Sequence, residues 1–217
     1  MFSSAIERLN DRRDAVGDAG EDAGFTLIEL MVVLLILAIL LAIAIPTFLG
    51  VTKSANDRAA QSNLNTALVN AKSIFQTNGQ SYALAGSTAA ASQTSNNNAM
   101  VTSLISAEPN LSFVNSTVTS GGSGSAQVAV AVAQDGNGVI LAEQAKGTGN
   151  CWYIVDNAVI ETTATGGTPY AGLTTAGANG SATALGAGTW YGKSTGGTSC
   201  AAAPPASTTF QASGFSS

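Results

Sequence analysis

The chain has 217 residues, of which 10% are charged, and its formal net charge is −5. Its few lysines and arginines are scattered along the sequence, so the composition indicates no direct nucleic-acid partner. The sequence contains no histidine, which excludes Ser-His-Asp and Cys-His catalysis and His-ligated metal sites.

Residues 1–24 form a polar segment with three arginines and six acidic residues. Gly24 then lies directly before a long apolar run. A secretory signal peptide instead has its small cleavage-site residue after the apolar core. The start of the chain therefore does not follow the pattern of an ordinary secretory signal.

The apolar run covers the 21 residues from 25 to 45, and Glu29 is its only charged residue. As a helix, a run of this length matches the hydrocarbon thickness of a bilayer. An acidic side chain at mid-membrane costs roughly 2.5–3.5 kcal/mol, so Glu29 is a candidate functional residue. The alternative is an ordinary single-pass anchor in which the glutamate is accidental.

This N-terminal region resembles that of the type IV prepilin family. The resemblance covers about residues 20–50 and is carried by the motif Gly24-Phe25-Thr26-Leu27-Ile28-Glu29-Leu30, the unbroken apolar run and Pro46. It implies that a membrane prepilin peptidase cuts between Gly24 and Phe25, and that Phe25 then becomes N-methylated. Residues 1–24 would be a cytoplasmic leader, with the N-terminus of the precursor inside the cell.

The resemblance also implies that Phe25, Glu29 and Pro46 act in assembly. Glu29 lies about one helical turn from the amine that cleavage would create on Phe25. Pairing of Glu29 with the amine of a neighbouring subunit would set the axial register, because a buried ion pair penalises misalignment. Pro46 removes one backbone donor, and it is either a simple kink at the membrane exit or a weak point used during assembly.

The amphipathic segment after the apolar run extends the same helix. Together the two segments predict one helix over residues 25–76, bent at Pro46, with an apolar stripe in its second half that would pack on a folded domain. Asn78 and Gly79 predict the end of this helix. Residues 78–110 have the composition of a connecting loop, with a low-complexity polar stretch at 92–98 and a short helical turn around residues 100–106 left open.

The second half of the chain predicts a small antiparallel sheet. Its candidate strands are residues 111–119, 126–134, 139–143, 151–155 and 189–191. The sequence Asp135-Gly136-Asn137-Gly138 predicts a hairpin turn, since the spaced ligands of a calcium loop do not follow it. The residues after 200 read as a flexible tail.

The two cysteines, Cys151 and Cys200, both follow the apolar run. Two cysteines in a domain outside an energised membrane favour one disulfide, and two unpaired buried thiols are the alternative. The resemblance agrees with a bond, because many pilins end in a disulfide-bounded surface loop.

We therefore predict an α+β protein of the pilin fold, in which a long N-terminal transmembrane and amphipathic helix packs on a small antiparallel sheet. The expected domains are a leader (1–24), a transmembrane and assembly helix (25–50) and an extracellular globular domain (51–217).

The resemblance implies a structural subunit of a type IV pilus that serves surface adhesion, motility or DNA uptake. We expect such a subunit to have no enzyme activity, no cofactor and no bound metal. Its partners would be further copies of itself, the prepilin peptidase and N-methyltransferase, the inner-membrane assembly platform with its ATPase, and the membrane before assembly. The precursor would lie in the cytoplasmic membrane and the assembled pilus outside the cell. The alternatives are a pseudopilin of a type II secretion system and a membrane-anchored binding protein that never polymerises.

Overall fold

The computed structural model describes residues 25–84, 90–115, 127–133, 136–159, 174–176, 182–195, 200–202 and 208–215. The chain divides into two compact units, Met1–Phe48 and Leu49–Ser217. The first unit contains the apolar run, and the second contains the sheet. The expected leader, residues 1–24, lies outside the described residues.

Helix α1 comprises Leu27–Thr77 and includes both the apolar run and the amphipathic segment, as predicted. Pro46 lies inside the helix and does not end it. Just after it, the hydroxyl of Thr47 donates to the backbone carbonyl of Ile43 at 2.9 Å.

The end of α1 has the geometry that its sequence predicts. Gly79 adopts a positive φ of 66°, and the amide of Gln80 donates to the carbonyl of Phe75 at 3.0 Å. This long backward bond and the left-handed glycine form a Schellman-type end, which satisfies a carbonyl of the last turn.

A second helix, α2, comprises Ala90–Ala107, so the prediction of a connecting loop over 78–110 is wrong for most of its length. The low-complexity stretch at 92–98 belongs to this helix. Asn97 is buried there, and its Oδ1 accepts a hydrogen bond from the backbone amide of Val132 at 2.7 Å. Met100 and Leu104 are fully buried one and two turns later. The helix thus packs on the sheet through Met100 and Leu104, and the side-chain amide of Asn97 is hydrogen-bonded to the backbone of Val132.

The main sheet has six strands in the order β1-β2-β3-β4-β7-β8. The strands are β1 (Ser112–Asn115), β2 (Gln127–Val132), β3 (Gly138–Gln144), β4 (Cys151–Asn157), β7 (Gly188–Ser194) and β8 (Thr209–Gln211). A separate pair joins β5 (Thr174–Ala176) to β6 (Ala182–Ala184).

The α+β class is confirmed, but the sheet is mixed where a purely antiparallel one was predicted. Strand β1 pairs in parallel with β2, and the other neighbours in the main sheet are antiparallel. A parallel pair needs a connection of about a dozen residues. Residues 116–126 separate β1 from β2, which is about the length that a parallel pair needs. A long hairpin loop can have the same length, so the strand pattern alone does not distinguish a parallel from an antiparallel pair.

The predicted hairpin is present as β2 and β3, although residues 134 and 135 of its turn lie outside the described part. Gly136 has a positive φ of 76°, and its carbonyl accepts a bond from the amide of Tyr82 at 2.7 Å. A Cβ at this position would lie 2.8 Å from the Cβ of Ala83. Backbone conformation and crowding therefore both require glycine here.

The sheet of the second unit is covered on both faces. On one face α1 and α2 contribute Ala60, Leu64, Ala67, Leu68, Ala71, Met100 and Leu104 to a common core with Val128, Val130, Leu141, Trp152 and Ile154. On the other face Ala131, Ile140, Tyr153 and Val155 pack with Leu185, Cys200, Ala202 and Phe210.

The prediction of a flexible tail after residue 200 is wrong for residues 201–202 and 208–215, while residues 203–207 and 216–217 of that segment lie outside the described residues. Strand β8 pairs with β7, and Phe210 is buried. The ring of Phe215 lies 5.4 Å from that of Trp152 and 4.9 Å from that of Tyr191. Residues 208–215 therefore pack on the sheet, with Phe210 in the core and Phe215 at its edge.

Candidate functional site

The apolar part of α1 is exposed throughout. Its most apolar stretch has a mean hydropathy of 3.2, and none of that stretch is buried. The large apolar side chains of residues 27–45 are between 47% and 77% exposed. This apolar stretch belongs to α1, which is the one helix in the described part of the chain that is long and apolar enough to cross a membrane. Such a surface is stable only against lipid or other protein, since burying one leucine or isoleucine is worth about 1.5–3 kcal/mol.

Three hydrogen bonds between Thr26 and Glu29 cap the start of α1. The Glu29 Oε2 accepts bonds from the Thr26 amide at 2.9 Å and from the Thr26 hydroxyl at 2.8 Å. In return, the Glu29 amide donates to the Thr26 hydroxyl oxygen at 3.3 Å. This is a capping box, which satisfies backbone donors that the first turn of a helix leaves without partners.

The capping box gives Glu29 a role that the sequence argument missed. From the sequence, Glu29 is predicted to pair with the Phe25 amine of a neighbouring subunit, and Thr26 has no predicted role. The T-x-x-E spacing of Thr26-Leu27-Ile28-Glu29 is itself a helix-start signal and could have indicated the pair. Glu29 also lies at the positive end of the helix dipole, which stabilises a carboxylate there.

Other residues predicted for this site are placed as follows. Gly24 lies outside the described residues. Phe25 directly precedes the capping residue Thr26, and its side chain is 89% exposed. Pro46 lies inside α1, well separated along the sequence from Glu29. Within the described residues, Phe25 and Glu29 therefore share the helix start, whereas Pro46 does not belong to that cluster.

The predicted disulfide is present. Cys151 and Cys200 are bonded, with their Cα atoms 5.6 Å apart, and both side chains are buried. Cys151 begins the central strand β4, so the bond ties the chain around residue 200 to the middle of the sheet. Residues 160–173, 177–181 and 196–199 of the predicted loop between the cysteines lie outside the described residues.

Asp57 fastens the second unit's part of α1 to the sheet, a role that the sequence argument did not assign. Its carboxylate accepts bonds from Trp152 Nε1 at 3.0 Å, Asn150 Nδ2 at 3.0 Å and Thr148 Oγ1 at 3.2 Å. The three donors lie in or just before β4. The Asp57 carboxylate on α1 therefore accepts hydrogen bonds from three side chains of the sheet region.

A second polar cluster surrounds Asp156 in β4. Its carboxylate accepts bonds from the Tyr82 and Thr189 hydroxyls, both at 2.6 Å, and forms an ion pair with Lys72 at 2.9 Å. Burial, together with the Asp156 carboxylate, raises the pKa of the Tyr82 hydroxyl well above its usual range. An acidic residue inside an otherwise apolar strand was the sequence signal for such a cluster, because buried charges need partners.

These two clusters join α1 to the sheet of the second unit through Asp57 and through the Lys72–Asp156 ion pair. Across the described residues, no group of three or more His, Cys, Asp or Glu side chains could hold a metal ion. The candidate functional site is the exposed apolar part of α1 with the capped carboxylate of Glu29 at its start.

Comparison with known proteins agrees with this assignment for the N-terminal part of the chain. The family described as the prokaryotic N-terminal methylation motif matches residues 21–45. This range includes Gly24, Phe25, Thr26 and Glu29. No curated protein and no solved structure matches the chain.

Proposed function

Because the chain carries a prokaryotic N-terminal methylation motif, consistent with the processing signal of type IV prepilins, we propose that it is a structural subunit of a type IV pilus. The subunit is made as a membrane-anchored precursor, cut by prepilin peptidase and polymerised through its N-terminal helix. It acts as a building block and as a substrate of the processing enzyme.

The observation that carries this proposal is the position of the motif on an exposed apolar helix. A simple anchor needs apolar residues alone, and a carboxylate among them lowers its stability in lipid. Here a carboxylate, Glu29, is present, and it accepts hydrogen bonds from Thr26 directly beside the expected cut. This arrangement favours a helix that leaves the membrane and packs against other copies.

The first step is hydrolysis of the peptide bond between Gly24 and Phe25. Water adds to the carbonyl of Gly24 and the C–N bond breaks, which leaves a carboxylate on the leader and an amine on Phe25. A methyl donor of the sulfonium class then transfers its methyl group to this amine; the donor leaves as a thioether and the amine loses one proton. It arises one residue before Thr26, at the end of the helix where Glu29 already lies.

Assembly then transfers the apolar part of α1 from lipid to a filament core, where its leucine, isoleucine and valine side chains pack against other subunits. Glu29 keeps its bonds to Thr26 during this transfer and gains the Phe25 amine of a neighbour as an additional partner. That contact favours one axial register over others. Pro46 has no backbone N–H, so α1 lacks one backbone hydrogen bond there and is locally weaker.

The remaining partners follow from this route. They are the prepilin peptidase and N-methyltransferase, the inner-membrane assembly platform and its ATPase, and the cytoplasmic membrane that holds the pool of subunits. The finished filament lies outside the cell, where the Cys151–Cys200 bond is stable because the environment is oxidising.

The test is the composition of filaments sheared from cells that make this chain. We expect mass spectrometry to find the chain in the filament fraction, and to lose it there when Glu29 is replaced by valine. A Leu30→Val variant, altered at the next position without loss of charge, should assemble as the wild type does. A wild-type chain that stays in the membrane fraction while filaments are otherwise normal contradicts the proposal.

A further inference from the structure

Two positively charged side chains line an open recess in the second unit. The recess has a volume of about 320 Å³, and Arg58 and Lys193 contribute to its wall with Ser54, Gln61 and Phe215. Arg58 lies on α1 and Lys193 on β7, so the fold brings together two cations that are far apart in the sequence.

The recess lining also contains one carboxylate, which is already hydrogen-bonded. Asp57 also lines the recess, but it accepts hydrogen bonds from Thr148, Asn150 and Trp152. The ammonium of Lys193 lies 4.7 Å from the ring centroid of Trp152, a cation–π contact that fixes its position. Within the described residues neither Arg58 nor Lys193 forms an ion pair, so the recess keeps a net positive charge.

The second unit has a matching negative group elsewhere on its surface. Among its described acidic residues, Asp57 and Asp156 are held by several donors, and Glu143 is buried. Glu108, just after α2, is partly exposed and has only the side chain of Asn110 as a weak partner, at 3.3 Å. Ile105, one helical turn earlier, is 45% exposed and adds an apolar surface beside the carboxylate.

The recess and Glu108 lie toward opposite edges of the sheet. Lys193 is on β7, whereas Glu108 leads into β1, and four inter-strand steps separate these two strands. At about 4.8 Å a step, the two strands are about 19 Å apart. A contact between these groups therefore requires two molecules.

We propose that the recess lined by Arg58 and Lys193 binds Glu108 of a second copy of this chain. This inference rests on the proposed function, since it assigns a contact between subunits of the filament. Complementary patches on opposite sides of one subunit form a heterologous contact. Each added subunit then presents a free recess on one side and a free Glu108 on the other, which suits an open helical polymer.

A zero-length cross-link tests the contact directly in wild-type filaments. A carbodiimide joins a carboxylate to an amine as an amide and takes up the water released, so it links only groups in contact. We expect a peptide in which Glu108 is joined to Lys193. In filaments assembled from isotopically light and heavy subunits, this peptide should contain mixed pairs. Coupling of Lys193 to another carboxylate, or pairs of a single isotope only, overturns the proposal.

Charge reversal gives a second, independent readout. Arg58→Glu and Glu108→Arg should each lower the filament yield by about tenfold, because each places like charges opposite one another. The double variant should restore the yield. Lys146→Glu is the matched control, since it makes the same charge change at an exposed lysine outside the recess lining, and it should assemble normally.

The outcomes separate this contact from the proposed function. Wild-type filaments that contain the chain, combined with single variants of normal yield or a double variant that fails to recover, overturn the contact alone. Absence of the wild-type chain from filaments overturns the proposed function, and the contact with it. Equal amounts of each variant in the membrane pool exclude loss of the folded subunit as the cause of a low yield.

Discussion

Replacement of Glu143 by glutamine should remove most of the pH dependence of the stability of this protein. Glu143 lies on β3 and is only 2% exposed. One carboxylate oxygen accepts a bond from Asn63 Nδ2 at 2.9 Å, and the other has no hydrogen-bond partner among the described residues. Burial raises the pKa of Glu143 to about 7, although the bond from Asn63 opposes this shift.

The sign of the effect follows from which state holds the proton. The ordinary pKa of the group is 4.5, and in the folded chain it is about 7. Between these values the folded state retains a proton that the unfolded state has released, so stability falls as the pH rises. The loss begins near pH 4.5 and is complete above pH 7, where it amounts to about 3 kcal/mol.

The assay is thermal unfolding of the detergent-solubilised mature chain between pH 5 and pH 8. The chain contains no histidine, so no other kind of side chain has its ordinary pKa in this interval. We expect the wild-type unfolding temperature to be lower at pH 8 by about 10 °C, given the size of the chain. Glu143→Gln keeps an acceptor for Asn63 but cannot ionise, so its unfolding temperature should change little.

The control for this experiment is Glu108→Gln, which removes a partly exposed carboxylate and should retain the wild-type pH dependence. The Phe25 amine of the mature chain is present in every variant and cancels in the comparison. A Glu143→Gln variant whose stability falls with pH as steeply as the wild type's refutes the reasoning.

Three further changes test other parts of the account. Glu29→Ala should leave membrane insertion intact, since it removes a charge, but should stop or slow assembly; filaments of normal number and length would show that Glu29 is dispensable. Asp57→Ala leaves Trp152 Nε1 and Asn150 Nδ2 without their acceptor, whereas the Thr148 hydroxyl keeps the carbonyl of Ala145. It should lower the free energy of unfolding by about 2–3 kcal/mol in urea titrations, and Asp57→Asn, which keeps an acceptor oxygen, should cost less; equal losses would count against the hydrogen bonds. Replacing Cys151 and Cys200 with serine should lower stability by about 4 kcal/mol and speed proteolysis of residues 162–199; an unchanged digestion pattern would argue against this role.

The parts of the fold that could be predicted are those whose signals are local. The apolar run, the helical spacing after it and the stop at Gly79 all lie within a few residues of the features they specify. The hairpin of β2 and β3 and the buried strand β4 were likewise readable from alternation and from continuous apolar sequence.

The parts that were missed depend on partners distant in the sequence. Asn97 is polar, and nothing near it indicates that the backbone of Val132 would satisfy its side chain in the interior. Phe210 and Phe215 are single aromatic residues in an Ala- and Ser-rich segment. Phe210 is buried where β8 pairs with β7, and Phe215 is partly buried against the core. Composition therefore predicted a loop and a tail where long-range contacts make a helix and a strand.

The candidate site divides in the same way. The motif at Gly24 and Phe25 was evident in the sequence, and the capping box of Thr26 and Glu29 could have been read from its spacing. The recess of Arg58 and Lys193 could not, because its two cations come together only through the docking of α1 on Trp152.

The most direct test of the central claim is the mass of the N-terminal peptide of this chain, taken from sheared surface filaments. The account predicts a peptide that begins at Phe25, carries one additional methyl group on its amine and lacks residues 1–24. A chain in the filaments that begins at any other residue would contradict processing after Gly24. A correctly cut chain that is absent from the filaments would contradict its role as their subunit.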